Sequence, residues 1–143
     1  MMYMPPRVSH KVRMSRPRLF LFASALVWLP YGLYCLFHPE FLASAAGVAS
    51  QSPTGTTELR AMYGGLQAAL GVVALAGLRQ RQHEALVTGV LGTLGAGLFL
   101  ARSTGVLLDG TLSAYTLSAL GFEGGSATIA FLLLRTRLSV ARA

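Results

Sequence analysis

Charge is scarce in this sequence, and acidic charge is the scarcest. Only 12% of the 143 residues are charged, and five of these are aspartate or glutamate. A soluble domain carries about 25% charged residues, whereas 53% of this chain is hydrophobic and its mean hydropathy is +0.55. A soluble core of this size could not bury so much apolar surface. We therefore expect an integral membrane protein, and the length suits a single domain.

Cysteine and histidine are rare too, which bears on the kinds of site to expect. A single cysteine, Cys35, leaves no partner for an intrachain disulfide. The three histidines are scattered and no metal-ligand spacing occurs, so no metal site is expected. The sequence contains no nucleophile–base pair or phosphate loop, so an enzyme is the less favoured class and no catalytic residue is assigned. No basic stripe with interleaved aromatic residues occurs, so nucleic acid is not an expected partner.

Long apolar runs are what the sequence has in abundance. About 20 helical residues cross a hydrocarbon core about 30 Å thick, and four runs have about this length. The predicted fold is all-α, a four-transmembrane-helix bundle with helices at about 19–37, 58–78, 85–102 and 113–134. The membrane domain covers 19–135, between a basic tail at 1–18 and a second tail at 136–143. Pro30 is expected to kink the first helix rather than end it.

The basic residues predict the orientation of these helices. Ten of the twelve precede the first run, join the second to the third, or follow the fourth. Because cytoplasmic loops carry an excess of Lys and Arg, both termini are expected in the cytoplasm. A cleaved signal peptide ending near Ala43-Ser44-Ala45 is the alternative. The first run is longer than the apolar stretch of a usual signal peptide, and its removal would spoil the alternation of charge.

Small residues give the predicted helices faces on which neighbours can approach closely. In lipid, close packing replaces the hydrophobic effect as the force that joins helices. We expect Gly64, Gly65, Gly92 and Gly95 to serve helix packing. The second helix carries small or polar residues on two opposite faces, which predicts neighbours on both sides.

Four ionisable residues are predicted to gather in the outer half of the bundle. Glu58 could be only a cap, because a carboxylate in a first helical turn complements the helix dipole, whereas Arg60 meets the wrong end of that dipole. Arg102 is expected in the last turn of the third helix. Glu123 lies near the centre of the fourth, where a charged side chain costs about 2.5–3.5 kcal/mol. We hypothesise that Arg102 or Arg60 pairs with Glu123 and that Glu58 bonds the other arginine.

Aromatic residues extend this group into a candidate binding site. Trp28 lies near mid-depth in the first helix rather than at the membrane interface, where tryptophan is common. Filling of the bundle is the alternative role for such a residue. The candidate residues for ligand binding or for the charge network are Glu58, Arg60, Tyr63, Arg102, Glu123 and Trp28.

The second predicted helix opens on a distinctive run, Glu58-Leu59-Arg60-Ala61-Met62-Tyr63-Gly64-Gly65. This run resembles the signature of a family of small bacterial membrane proteins, domain of unknown function 4345. Ala101-Arg102-Ser103, Leu108-Asp109-Gly110 and Glu123 resemble other positions that the family shares, and the resemblance covers about residues 19–135. Two positions depart from the family's pattern: Met62 stands where an aromatic or aliphatic residue is expected, and Ala101 stands where a glycine is expected. The resemblance implies four membrane helices and a multi-pass location in the bacterial cytoplasmic (inner) membrane. The family also looks broadly similar to DoxX-like proteins, some of which accompany quinone-linked oxidoreductases. This likeness of fold carries little weight for function.

Three classes of function remain open at this point. The first is a binding module for a small apolar or anionic ligand, a quinone or a lipid, with no cofactor otherwise indicated. The second is an accessory subunit of a membrane complex without a ligand. The third is a proton-coupled transporter that uses Glu123. The expected partners are the lipid bilayer and either another membrane protein or further copies of the chain.

Overall fold

The described residues form four long helices, one short α-helix and a three-residue 3-10 helix, Arg81–His83. The computed structural model describes residues 14–140, with side chains described as far as residue 137, and residues 14–140 contain no β-strand. Arg7, Lys11, Arg13 and Arg142, which enter the prediction of orientation, lie outside the described residues. The helices are α1 (Arg16–Phe37), α2 (Phe41–Ala46), α3 (Pro53–Arg79), α4 (Glu84–Asp109) and α5 (Ala114–Val140).

The four long helices, α1, α3, α4 and α5, are long and apolar enough to cross a membrane. Large apolar side chains cover their outer surface, as lipid contact requires, and Leu107 and Leu108 are among the most exposed. The predicted all-α bundle of four transmembrane helices is thereby confirmed, and the chain is a multi-pass membrane protein. Pro30 lies inside α1 without ending it.

The ends of the helices follow from local capping. Ser52 accepts a hydrogen bond from the Gly55 amide at 3.1 Å, and Pro53 occupies the first turn. Such residues favour a helix start, so α3 begins five residues before the predicted Glu58. α4 ends at Asp109, and the next residue, Gly110, has a φ of 64°, the left-handed cap that glycine adopts readily.

The position of Arg102 in α4 corrects the sequence prediction. The sequence placed Arg102 in the last turn, but α4 continues for seven more residues to Asp109. No proline follows Arg102 within α4, and Gly110 is the first later residue to take a positive φ. Arg102 is therefore an interior residue of the helix, and a favourable contact with the helix dipole does not explain its charge.

A short π-helical segment, Arg60–Gly65, interrupts the α-helical hydrogen bonding of α3. The amide of Leu66 bonds to the carbonyl of Ala61, five residues earlier. One wide turn of this kind changes the direction in which the following side chains point, and such segments are frequent at functional sites. The regular apolar pattern of the sequence did not predict it.

Close contact between backbones joins α1 to α3. A Cβ atom at Gly32 would lie 2.2 Å from the Ala68 nitrogen, one at Gly64 would lie 2.7 Å from the Leu36 Cα, and one at Gly71 would lie 2.5 Å from the Leu29 Cβ. Real Cβ atoms do not approach other atoms so closely. These three positions therefore let the two helices touch along most of their length.

The helices α4 and α5 form a second close pair. A Cβ atom at Gly92 would lie 2.7 Å from the Ala130 Cβ, and one at Gly95 would lie 3.3 Å from the Glu123 carbonyl oxygen. An apolar core joins this pair to the first pair, and it contains Phe20, Leu21, Ala25, Leu70, Ala74, Val87, Leu91 and Ala130. The bundle is thus two tight helix pairs with a common core.

Gly65 makes no comparable contact with another helix in the described chain. A Cβ atom there would meet only the Arg60 carbonyl of its own helix, at 3.8 Å. Met62 and Ala69, on the same face, are exposed as well. The neighbours predicted on two opposite faces of α3 are therefore not seen in a single chain, because α4 contacts α3 near its other end, where Gly77 meets Val87.

Candidate functional site

A buried ion pair between α4 and α5 is the centre of the candidate site. The Arg102 guanidinium donates two hydrogen bonds to Glu123, from Nε to Oε2 at 3.1 Å and from Nη2 to Oε1 at 2.8 Å. This two-point geometry is the strong form of an arginine–carboxylate pair. The Glu123 side chain is only 5% exposed, whereas that of Arg102 is 28% exposed. The carboxylate is therefore committed to the pair, while the guanidinium keeps an accessible side.

The depth of Glu123 explains why it needs a partner. It lies nine residues after the start of α5, which is about 14 Å along the helix axis. A carboxylate left without a partner at that depth is strongly destabilising, whereas a paired and hydrogen-bonded one is tolerated. Gly95 brings α4 close to the Glu123 backbone. The Arg102 side chain can therefore span the remaining distance.

Aromatic side chains surround this ion pair. The hydroxyl groups of Tyr31 and Tyr115 share a hydrogen bond of 2.9 Å. The Arg102 guanidinium lies 5.9 Å from the centre of the Tyr115 ring, a cation–π distance. Trp28 and Phe122 meet edge to face with ring centres 5.3 Å apart. The aromatic rings thus form an apolar wall with hydroxyl groups at one side.

These groups line a cavity of about 300 Å³ to which all four long helices contribute. Gln67 of α3 lies in the lining. Its Oε1 atom is buried, and no group in the described part of the chain donates a hydrogen bond to it. A buried acceptor without a donor is rare in folded proteins. The cavity therefore contains an unpaired acceptor as well as the donors of Arg102.

The structure brings four of the six predicted site residues together. Trp28, Tyr63, Arg102 and Glu123 all line the cavity. Tyr63 belongs to the π-helical segment of α3. The pair between Arg102 and Glu123 is one of the two alternatives that the sequence left open for Glu123.

Glu58 and Arg60 lie outside this cavity. The Arg60 Nε donates instead to the carbonyl of Leu36 at 3.2 Å, near the end of α1. Glu58 is exposed, and among the described residues it forms no salt bridge with Arg60 or Arg102. The hypothesis that Glu58 bonds an arginine is therefore corrected. Residues two positions apart on a helix point in different directions, so Glu58 and Arg60 cannot share a partner easily.

Arg60 belongs to a second, smaller pocket between α3 and the loop after α1. This pocket has a volume of about 240 Å³ and includes Glu40. The pKa of Glu40 is lowered, first by a hydrogen bond from its own backbone amide and less by His38 and Arg60. The His38 Nδ1 lies 3.3 Å from Glu40 Oε1. Arg60 thus acts weakly on the exposed carboxylate of Glu40.

The sequence interpretation missed a second buried carboxylate, Glu84. It opens α4, and its side chain is 4% exposed. Arg18 Nη1 lies 3.0 Å from Oε1, and Arg137 Nη2 lies 2.6 Å from Oε2. The sequence did contain a signal for this cluster. Glu84 lies at the edge of an apolar run, on the predicted side of the membrane that also holds the arginines beside the first and last runs. Gln67 and Tyr115 were also absent from the predicted site.

These features define a class of protein, a four-helix integral membrane protein with a charged pair inside the bundle. The family model described as Domain of unknown function (DUF4345) matches residues 17–134, so the chain belongs to this family. The resemblance inferred from the run at 58–65 is thereby confirmed. No curated protein and no solved structure shows a significant match.

Proposed function

We propose that this membrane protein is a binding module for a small, mostly apolar ligand, a quinone or a lipid head region. The observation that carries the proposal is the cavity of about 300 Å³ whose wall contains the Arg102–Glu123 pair and several aromatic rings. Ligand sites usually combine an apolar lining with a few convergent polar groups. The chain offers this combination in the half of the bundle away from Glu84.

Charge favours a neutral ligand over an anionic one. Glu123 compensates the positive charge of Arg102 in the wall of the cavity. A fully charged ligand would therefore lose its hydration without gaining a net opposite charge, which is unfavourable in a low-dielectric setting. Of the two kinds of ligand that the sequence left open, the apolar one is better supported than the anionic one.

Hydrogen bonding narrows the chemistry of the ligand further. A guanidinium has five N–H donors, and two of those of Arg102 are used by Glu123. The remaining donors suit a carbonyl or hydroxyl oxygen, while the buried Gln67 Oε1 suits an O–H or N–H donor. A ring that carries one oxygen acceptor and one hydroxyl group would satisfy both the Arg102 donors and the Gln67 acceptor.

The volume indicates how much of such a ligand enters. Ligand cavities span about 300–1,000 Å³, so this one is at the small end. It suits a single substituted ring or the head region of a lipid, with any long chain remaining in the bilayer.

A proton-coupled transporter is less well supported. The core side chains Leu21, Leu70 and Leu91 are apolar and lie in the half of the helices between the cavity and Glu84. Proton transfer needs a continuous chain of polar groups or water. The buried hydroxyls at this level, Ser24 and Thr88, each donate to a backbone carbonyl of their own helix, Phe20 and Glu84 respectively, and are not bonded to each other. Proton flux in liposomes that disappears in Glu123→Gln would favour the transporter and count against the binding module.

Native mass spectrometry of the protein purified in a mild detergent tests the proposal. We expect a bound small molecule on the wild type and at least a tenfold loss of occupancy in Arg102→Ala and in Gln67→Leu. Arg81→Ala is the matched control, because Arg81 is an exposed arginine outside the cavity. A wild type that carries no small molecule under these conditions would favour the accessory-subunit alternative instead.

A further inference from the structure

The second charged cluster lies where the start of α1, the start of α4 and the end of α5 meet. We name this region the basic end. Glu84 receives hydrogen bonds from both Arg18 and Arg137. One carboxylate thus compensates one of these two guanidinium groups, and the exposed Arg16 adds a further positive charge. The basic end therefore keeps a net positive charge even though its carboxylate is fully paired.

A groove of about 390 Å³ lies beside this cluster, between α1 and α5. Arg16 lies on one wall and Arg137 on the other, with Ser15 and Thr136 beside them. Arg137 is held in place by Glu84 but is 41% exposed, so part of its guanidinium faces outward. Arg16 forms no salt bridge among the described residues. The groove thus has one positioned cation and one uncommitted cation.

The start of α1 adds backbone donors to this groove. The Ser15 side chain makes no capping hydrogen bond, and the Leu19 amide is the one that bonds back to the Ser15 carbonyl, at 3.0 Å. Pro17 has no N–H, so Arg16 and Arg18 carry the first-turn amides that have no acceptor within the helix itself. The positive end of the helix dipole therefore lies in the same groove as the two arginines, an arrangement that suits an anion.

The remaining lining of the groove indicates what carries the anion. Pro17 and Leu133 give the groove an apolar floor. Phe131 and Leu132, about one turn back along α5, are exposed to the lipid side. A basic pocket between membrane helices at the ends of the spans suits the head group of an anionic lipid. A free phosphate would leave the apolar floor unused.

We propose that this groove binds the phosphate group of an anionic phospholipid, with Arg16 and Arg137 as its binding residues. The acyl chains would lie along the exposed apolar surface of α5, below the groove. This site is separate from the cavity at Arg102 and Glu123, and it does not depend on what that cavity holds.

Titration of the purified protein with dioleoylphosphatidylglycerol, followed by native mass spectrometry, tests the proposal. We expect Arg16→Gln to weaken binding of this lipid about fivefold, since a basic residue near an anionic head group contributes about a factor of five. Binding of dioleoylphosphatidylcholine should be unchanged. Because Arg16 is exposed and forms no salt bridge among the described residues, the variant should melt at the wild-type temperature in lipid-free detergent.

Arg81→Gln is the matched control, because it removes the same charge outside the groove. It should bind phosphatidylglycerol within twofold of the wild type. Equal losses in Arg81→Gln and Arg16→Gln would mean that only diffuse surface charge attracts the lipid, and the proposal would then be wrong. Displacement of phosphatidylglycerol by millimolar inorganic phosphate would also overturn it, since the site would then recognise a free anion.

Discussion

Arg102 and Glu123 differ in how much of their role could be read from the sequence. Glu123 stood out because no cap, turn or surface position explained a carboxylate in the middle of an apolar run. Arg102 was wrongly predicted to lie in the last turn of its helix, because the apolar run stops there and the polar residues Ser103 and Thr104 follow. In the structure these residues lie within α4, and Thr104 bonds to the Leu100 carbonyl of its own helix. The need for a partner was therefore readable, but the position of the partner in its helix was not.

A double-mutant cycle measures the coupling of this pair. Arg102→Gln or Glu123→Gln alone leaves one charge inside the bundle, so each should destabilise the protein by about 2–4 kcal/mol. Glu123→Gln should fall in the lower part of that range, because the Arg102 side chain that it leaves unpaired is partly exposed. The double variant should cost less than the sum of the two. Denaturant titration in detergent gives the free energies, and strictly additive losses would contradict the pairing.

The burial of Glu84, unlike that of Glu123, could not be predicted from the sequence around it. In the sequence it follows Arg79 and Arg81 closely, which is typical of a solvated boundary between two membrane helices. Its partners Arg18 and Arg137 come from the first and last helices. Which helix ends meet depends on the packing of the whole bundle, and local sequence does not contain that information.

At the scale of elements, the π-helical segment is the least predictable feature. It covers Arg60–Gly65, most of the run that identified the family. Side-chain periodicity detects which face of a helix is apolar, but one wide turn shifts that face by a single residue and leaves the apolar content unchanged. The segment holds Tyr63 at the cavity and Arg60 at the end of α1. The sequence predicted one common site for these two residues, whereas the structure separates them.

The contact between α1 and α3 gives a prediction for a single methyl group. In Gly71→Ala the new Cβ would lie 2.5 Å from the Leu29 Cβ and 2.6 Å from the Leu29 nitrogen. Backbone cannot yield as a flexible side chain does, so we expect a loss of about 1–3 kcal/mol and a lower melting temperature in detergent.

Gly97→Ala is the control for this change on α4. A Cβ there meets nothing within 4 Å, and alanine favours a helix over glycine by about 1 kcal/mol. Its melting temperature should equal or exceed that of the wild type. If both variants lose stability equally, helix contact is not the reason for glycine at position 71.

At the scale of the whole molecule, the sequence predicted the architecture well. The length and low charge of four apolar runs were sufficient for the number of helices, because the thickness of the bilayer sets how many residues a span needs. The partners of each helix were harder to predict, since all four runs have similar composition. Glycine at 64 and 71 marked one close face of α3, but equally small residues at 65 and 69 mark a face that a single chain leaves exposed.

The orientation of the bundle is a prediction that cysteine labelling can check. In a Cys35→Ala background, Gln51→Cys lies between α2 and α3, and Gln80→Cys lies between α3 and α4. The excess of arginine near position 80 predicts that this turn is cytoplasmic. A membrane-impermeant maleimide should label Gln51→Cys in intact cells and Gln80→Cys only after lysis. The reverse pattern would place both termini outside.

The contacts of Glu84 also imply an order of events during biosynthesis. Arg18 is made before Glu84 and Arg137 long after it, so the ribosome has released most of the chain before the second arginine exists. Until α5 enters the bilayer, Glu84 has one of its two final partners. The last helix therefore brings the second hydrogen-bond donor for the buried carboxylate of the third long helix, together with an additional positive charge. Truncation after Thr136 should therefore leave a chain that quality-control proteases recognise, even though most of α5 is present.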